Sequence, residues 1–98
     1  MYTIRKFHLH HGKNTIPLQQ YAKVKHFNRT NDGYYIWVLI DLEDNEVEDC
    51  DLYIVDTEDP LDDSILDRYI GTAITKFGNY AVHLFWGKYH KAKKGTIT

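Results

Sequence analysis

At 98 residues, with 43% apolar and 14% aromatic side chains, the chain has enough hydrophobic surface for one core and too little length for two, and its composition excludes a disordered chain. A single cysteine, Cys50, excludes an internal disulfide and a cysteine-based zinc site, and no apolar run approaches the roughly 20 residues that cross a bilayer. The formal charge of −2 conceals a division. All fourteen carboxylates lie between Asp32 and Asp67, while all twelve Lys and Arg lie outside that window, six before and six after, together with all six histidines.

In chain order, Tyr2–His10 mixes β-formers with charge. Gly12-Lys13-Asn14 breaks that stretch, and Thr15-Ile16-Pro17-Leu18 follows as a short extended piece whose proline belongs at a sheet edge. Ala22–Arg29 alternates, placing Lys23, Lys25 and Arg29 on one side and Ala22, Val24 and His26 on the other. Thr30-Asn31-Asp32-Gly33 is a turn signal that joins this strand to Tyr34–Leu42 as a hairpin. Tyr34–Leu42 is apolar on both faces, which predicts a central strand. Glu43–Asp49 reads as an acidic loop, and Cys50–Asp56 returns as a strand to make a second hairpin, with Leu52 and Ile54 opposed to Tyr53 and Val55.

Asp59-Pro60, followed by Asp62 and Asp63, predicts a helix start with Asp59 as the cap and about two turns to follow. Leu61, Ile65 and Tyr69 would line its buried side. Tyr69–Thr75 resumes a β pattern, Gly78-Asn79 turns, and Tyr80–Tyr89 is a further strand apolar on both faces. The expectation is a mostly β domain over residues 1–90, a small antiparallel barrel or sandwich of six to seven strands with one short helix near 60–67. A basic, mobile tail over 91–98 completes it.

Chemistry-bearing clusters are few. The acids Asp41, Glu43, Asp44, Glu46 and Glu48 are closely spaced, but the sixth and twelfth positions from Asp41 are Glu46 and Leu52, so no EF-hand is formed. The acidic surface, chiefly Glu43, Asp44, Glu46, Glu58, Asp59, Asp62 and Asp63, is expected to be a solvated face, or alternatively a mimic of a phosphate backbone. His8-x-His10 shares one strand face, with His11 adjacent, yet no spacing supplies a third ligand, and no metal and no cofactor are expected. His83 lies in the apolar run Ala81-Val82-His83-Leu84-Phe85, where a hydrogen-bonded core histidine is the simplest reading. Trp86, Lys88 and Tyr89 interleave aromatic rings with a cation, and Tyr35 and Trp37 place two rings on one face of a strand. With Arg5 and His83, these are the candidate ligand or partner contacts. No phosphate loop, nucleophile elbow or metalloenzyme spacing is present, so no catalytic residues and no enzyme activity are expected.

Ile4-x-Lys6-Phe7, Ile16-Pro17-Leu18, Ala22-Lys23-Val24, Ile36-Trp37-Val38-Leu39-Ile40-Asp41, Tyr69-Ile70-Gly71-Thr72 and Val82-His83-Leu84-Phe85 together resemble a family of small phage-encoded proteins of unknown function, over about residues 2–86. The chain departs from that pattern at Val82 and at Thr57-Glu58. The resemblance rests on core-forming residues and implies origin and shape, and it transfers no functional residue. It sets the expectation of a non-enzymatic accessory protein in the cytoplasm of an infected cell that binds and neutralises a host defence or regulatory protein. A sponge for a nucleotide or cyclic dinucleotide is the alternative, and nucleic-acid binding or nucleic-acid mimicry is a third. No membrane partner is expected, and pairing into a homo-oligomer would add core to so small a domain.

Overall fold

The computed structural model describes residues 1–74, 78 and 80–87. Within them lie the strands β1 (Tyr2–Leu9), β2 (Gly12–Leu18), β3 (Lys23–Thr30), β4 (Gly33–Asp41), β5 (Glu48–Asp56), β6 (Tyr69–Ile74) and β7 (Ala81–Trp86). They form two antiparallel sheets, one of three strands in the order β1-β4-β3 and one of four in the order β2-β5-β7-β6. Of the two expected forms it is the sandwich that is built, and the sheets do not close into a barrel.

The period-two alternation of side chains builds this core. On β4, Ile36, Val38 and Ile40 are buried, while Tyr35, Trp37 and Leu39 are half-exposed on the other side. On β5, Cys50, Leu52 and Ile54 are fully buried, and they meet Val82, Leu84 and Trp86 of β7 and Leu9, Val24 and Phe27 of the three-stranded sheet. Each such Leu, Ile or Phe contributes about 1.5–3 kcal/mol by leaving water. β4 is the central strand of its sheet, as its two apolar faces require, and Pro17 lies on β2, an edge strand where its missing N–H costs no ladder bond.

Four expectations are corrected. β4 and β5 do not form a hairpin: after Asp41 the chain crosses to the other sheet, and β5 pairs with β2 and β7. Residues 42–47 are long enough for that crossing, which spans about 10 Å between packed sheets. Gly12-Lys13-Asn14 is the start of β2, and the break falls earlier, at His10-His11. β3 carries a bulge between Val24 and His26, so His26 faces outward opposite Trp37 while Phe27 takes the core position. Finally, the helix is a single 3-10 turn, Asp63–Ile65. Its cap is Asp62, whose carboxylate accepts from Ser64 N at 2.9 Å, because Asp59 is engaged elsewhere, accepting from Asp56 N at 3.0 Å. Ile65 is its buried anchor, while Leu61 is exposed and Tyr69 belongs to β6.

Both chain crossings out of β1 and β2 are held by a buried amide. Asn14 accepts from His10 N and donates to His10 O, each at 2.8 Å, which closes the β1–β2 corner. Gln19, only 6% exposed, donates to Asp41 O (2.6 Å) and Asp44 O (2.7 Å) and accepts from Asp41 N (2.9 Å), tying the β2–β3 crossing to the end of β4. The β3–β4 hairpin turns at Asn31-Asp32 as expected, with Thr30 paired to Gly33. The strand expected at Tyr80–Tyr89 is seen at Ala81–Trp86. Thr75, Asn79, Lys88, Tyr89 and the tail 91–98 lie outside the described residues.

Candidate functional site on the outer face of the three-stranded sheet

Register decides which of the sequence-level candidates meet. Along the ladders, His8 is opposite Tyr35, Lys6 and His26 flank Trp37, and Ile4 and Lys23 flank Leu39. These side chains therefore share the face of β1-β4-β3 that points away from the core. The His8 ring stacks on Tyr35 at 4.9 Å between centroids, and His26 lies 5.4 Å from Trp37. Tyr35 and Trp37 are 6.3 Å apart, and the Lys6 ammonium sits 4.6 Å above the Tyr35 ring. His10 extends the row, its ring 4.6 Å from that of His8. Gly33 makes room at this end: its φ of +135° belongs to glycine, and a Cβ there would lie 2.6 Å from His8 Nε2.

The charge on this face is one-sided. Among the described residues, its carboxylate is Asp41, at the end opposite Tyr2, whereas Lys6 and Lys23 lie along it and Lys25 sits in the adjoining bulge. Ion pairs join the N-terminus to Glu43 (3.8 Å) and Lys13 to Asp51 (3.8 Å), and His11 Nε2 lies 3.3 Å from Asp56 Oδ2. Arg5, Lys6, Lys23, Lys25 and Arg29 make none with described residues. Apart from Asp32 in the β3–β4 turn and Asp41 on β4, the acids occupy β5 and two loops: Glu43, Asp44 and Glu46 on the β4–β5 crossing, and Glu58, Asp59, Asp62 and Asp63 between β5 and β6. Strand order thus keeps much of the opposite charge apart.

The other candidates go elsewhere. Arg5 alternates to the opposite side of β1 from Lys6 and lines a groove between the sheets with Phe7, Pro17, Ile40 and Val47. Trp86 is 2% exposed and packed in the core, which leaves it no surface to offer a partner. Its parity with Val82 and Leu84 is the sequence signal for that placement. Lys88 and Tyr89 lie outside the described residues.

His83 is half-exposed on the outer face of the four-stranded sheet instead of in the core, and both ring nitrogens are bonded: Nε2 to Thr57 Oγ1 at 2.8 Å and Nδ1 to Thr72 Oγ1 at 2.9 Å. Thr57 donates to Ala81 O at 3.1 Å, and Tyr69 OH lies 2.6 Å from Thr72 Oγ1. One proton order satisfies every group: Tyr69 donates to Thr72, Thr72 to Nδ1, Nε2–H to Thr57 and Thr57 to the carbonyl. His83 is thereby a link in a structural chain of hydrogen bonds, with neither nitrogen left over for a ligand.

Fold and face together define a small antiparallel β-sandwich with an open aromatic and basic sheet surface. The chain belongs to the family described as a domain of unknown function, DUF7352, whose model matches residues 1–95. No curated protein and no solved structure matches it. Among the described residues, no helix is long and apolar enough to cross a membrane.

Proposed function

We propose that this is a non-enzymatic binding protein whose β1-β4-β3 face holds a single-stranded nucleic acid. The observation that carries this reading is the side-by-side placement of Tyr35 and Trp37, flanked by His8 and His26 and bordered by Lys6 and Lys23. Residues i and i+2 of a strand are about 6.8 Å apart, so Trp37 and the stacked His8–Tyr35 pair offer neighbouring aromatic surfaces, while the lysines supply phosphate contacts. An open face suits an extended strand better than a single nucleotide, which favours an enclosing pocket.

Tyr2 (64% exposed) and Ile4 (50%) at the Asp41 end of the same face favour a second reading, an apolar anchor for a protein partner. The resemblance to small phage-encoded proteins gives either reading its setting: an infected cell in which the protein occupies or withholds a host component.

Fluorescence offers a direct test. Trp86 is buried, so quenching by added oligonucleotide reports on Trp37. Single-stranded oligomers at low salt are expected to quench it, and Trp37→Ala, followed by the anisotropy of a labelled oligomer, should weaken binding by about 5- to 150-fold, from about 1–3 kcal/mol per stacked base. Absence of binding by the unmodified protein at low salt removes the nucleic-acid reading.

A further inference from the structure

Away from the stacking face, the β1–β2 corner meets the end of β5. The ladder pairs Gly12 with Ile54, and Gly12 (φ +88°) turns the chain there, so His11 arrives beside the last residues of β5. Its Nε2 lies 3.3 Å from Asp56 Oδ2. Asp59 is brought back to the same place by a tight turn, in which Asp59 N donates to Asp56 O at 3.1 Å and Asp59 Oδ2 accepts from Asp56 N at 3.0 Å. One imidazole nitrogen and two carboxylate oxygens, from two separate parts of the chain, thereby lie within 4.8 Å of one another.

The electrostatics of this corner ask for a cation. Among the described residues no Lys or Arg pairs with Asp56 or Asp59, so two like charges are held together and the imidazole offsets them only when protonated. A neutral imidazole and two carboxylates around a divalent ion sum to zero charge. Ligand atoms around a bond length of about 2.1 Å sit about 3–3.5 Å apart, so small side-chain rotations close the set.

We propose that His11, Asp56 and Asp59 form a binding site for a divalent first-row transition ion, with water completing its coordination. The imidazole selects the class, since calcium and magnesium prefer all-oxygen sites whereas nitrogen donors suit zinc and its neighbours. Bound there, the ion clamps the β1–β2 corner to the end of β5. This site is independent of the stacking face, and His11 differs from His8 and His10, which lie in contact with each other.

Titration calorimetry of the full chain with Zn2+ tests it. One equivalent is expected to bind, tighter than Ca2+, and the melting temperature should rise with Zn2+ concentration. His11→Ala and Asp59→Asn should each weaken binding at least about tenfold. The asparagine keeps an oxygen for Asp56 N, and an unchanged circular dichroism spectrum confirms that the turn survives. His8→Ala should leave the affinity unchanged. Absence of Zn2+ binding, loss of binding on His8→Ala with retention on His11→Ala, or Ca2+ bound as tightly as Zn2+ would each overturn the proposal.

Discussion

Gln19 engages both amide hydrogens and its carbonyl, and all three partners are backbone groups at the end of β4 and the crossing beyond. Gln19→Leu keeps the apolar bulk but strips Asp41 N, Asp41 O and Asp44 O of their partner. A buried unpaired polar group costs about 1–3 kcal/mol, and the crossing can rotate some of these groups to water, so urea unfolding should show a loss of about 2–4 kcal/mol. Thr72→Val makes a contrasting case. It cuts the hydrogen-bonded chain between Tyr69 and His83 on an exposed surface, where water can substitute, and should cost about 0.5–1.5 kcal/mol by the same measurement. Gly33→Ala forces a side chain into a positive-φ backbone region that costs about 1–3 kcal/mol and pushes His8 off Tyr35. Loss of stability together with weaker nucleic-acid binding is the expected outcome. Nothing in the spacing of Gln19 or Asn14 announces their roles, because their partners lie across chain crossings whose paths are set by packing.

At the scale of elements, β3 and β4 show how much one residue governs. The ladder pairs Val24 with Val38 and His26 with Trp37, consecutive positions on β4, so Lys25 is the extra residue of a bulge. Deleting Lys25 should therefore leave Val24 and Phe27 in the core and preserve a single cooperative unfolding transition in circular dichroism. Deleting Ile36 from β4, which has no bulge, should abolish that transition, since a one-residue slip turns every later side chain to the wrong face. The strands and the β3–β4 turn were legible because alternation and Asn-Asp-Gly chemistry act locally. The bulge was not, since Lys23, Lys25 and Arg29 fit a plain alternation equally well and only the burial of Phe27 decides against it. The short helix was overread for a similar reason: Asp59-Pro60 carries start signals, but Asp59 is captured by the Asp56 turn, which leaves Asp62 to cap one 3-10 turn.

For the whole molecule, the division of charge along the chain becomes a partial division in space. β1 and β3 take Arg5, Lys6, Lys23, Lys25 and Arg29 into one sheet, where Asp32 and Asp41 are the acids, while most other acids follow β5 and the loops on either side of it. If Lys6, Lys23 and Lys25 each neutralise one phosphate, single-strand affinity should fall with salt with a log–log slope of about −2, from about −0.7 per contact. Lys6→Gln should reduce that slope by about 0.7, measured by anisotropy across a salt series. Exposed pairs are screened beyond about 8 Å at physiological ionic strength, so acids on the opposite sheet should weaken this attraction little.

The sequence alone determined the β class, the central character of β4 and the placing of Tyr35 and Trp37 together on one side of a strand, since each follows from periodicity or composition within a few residues. Tertiary structure decided which strands pair, and through that everything at the candidate sites. Register placed His8, His26, Lys6 and Lys23 beside the two rings, sent Arg5 to the opposite side and Trp86 into the core, and brought His11 to Asp56 and Asp59. Such meetings join residues far apart in the chain, and their selection rests on the burial of the two sheets against each other, a sum over the whole core that no local pattern carries.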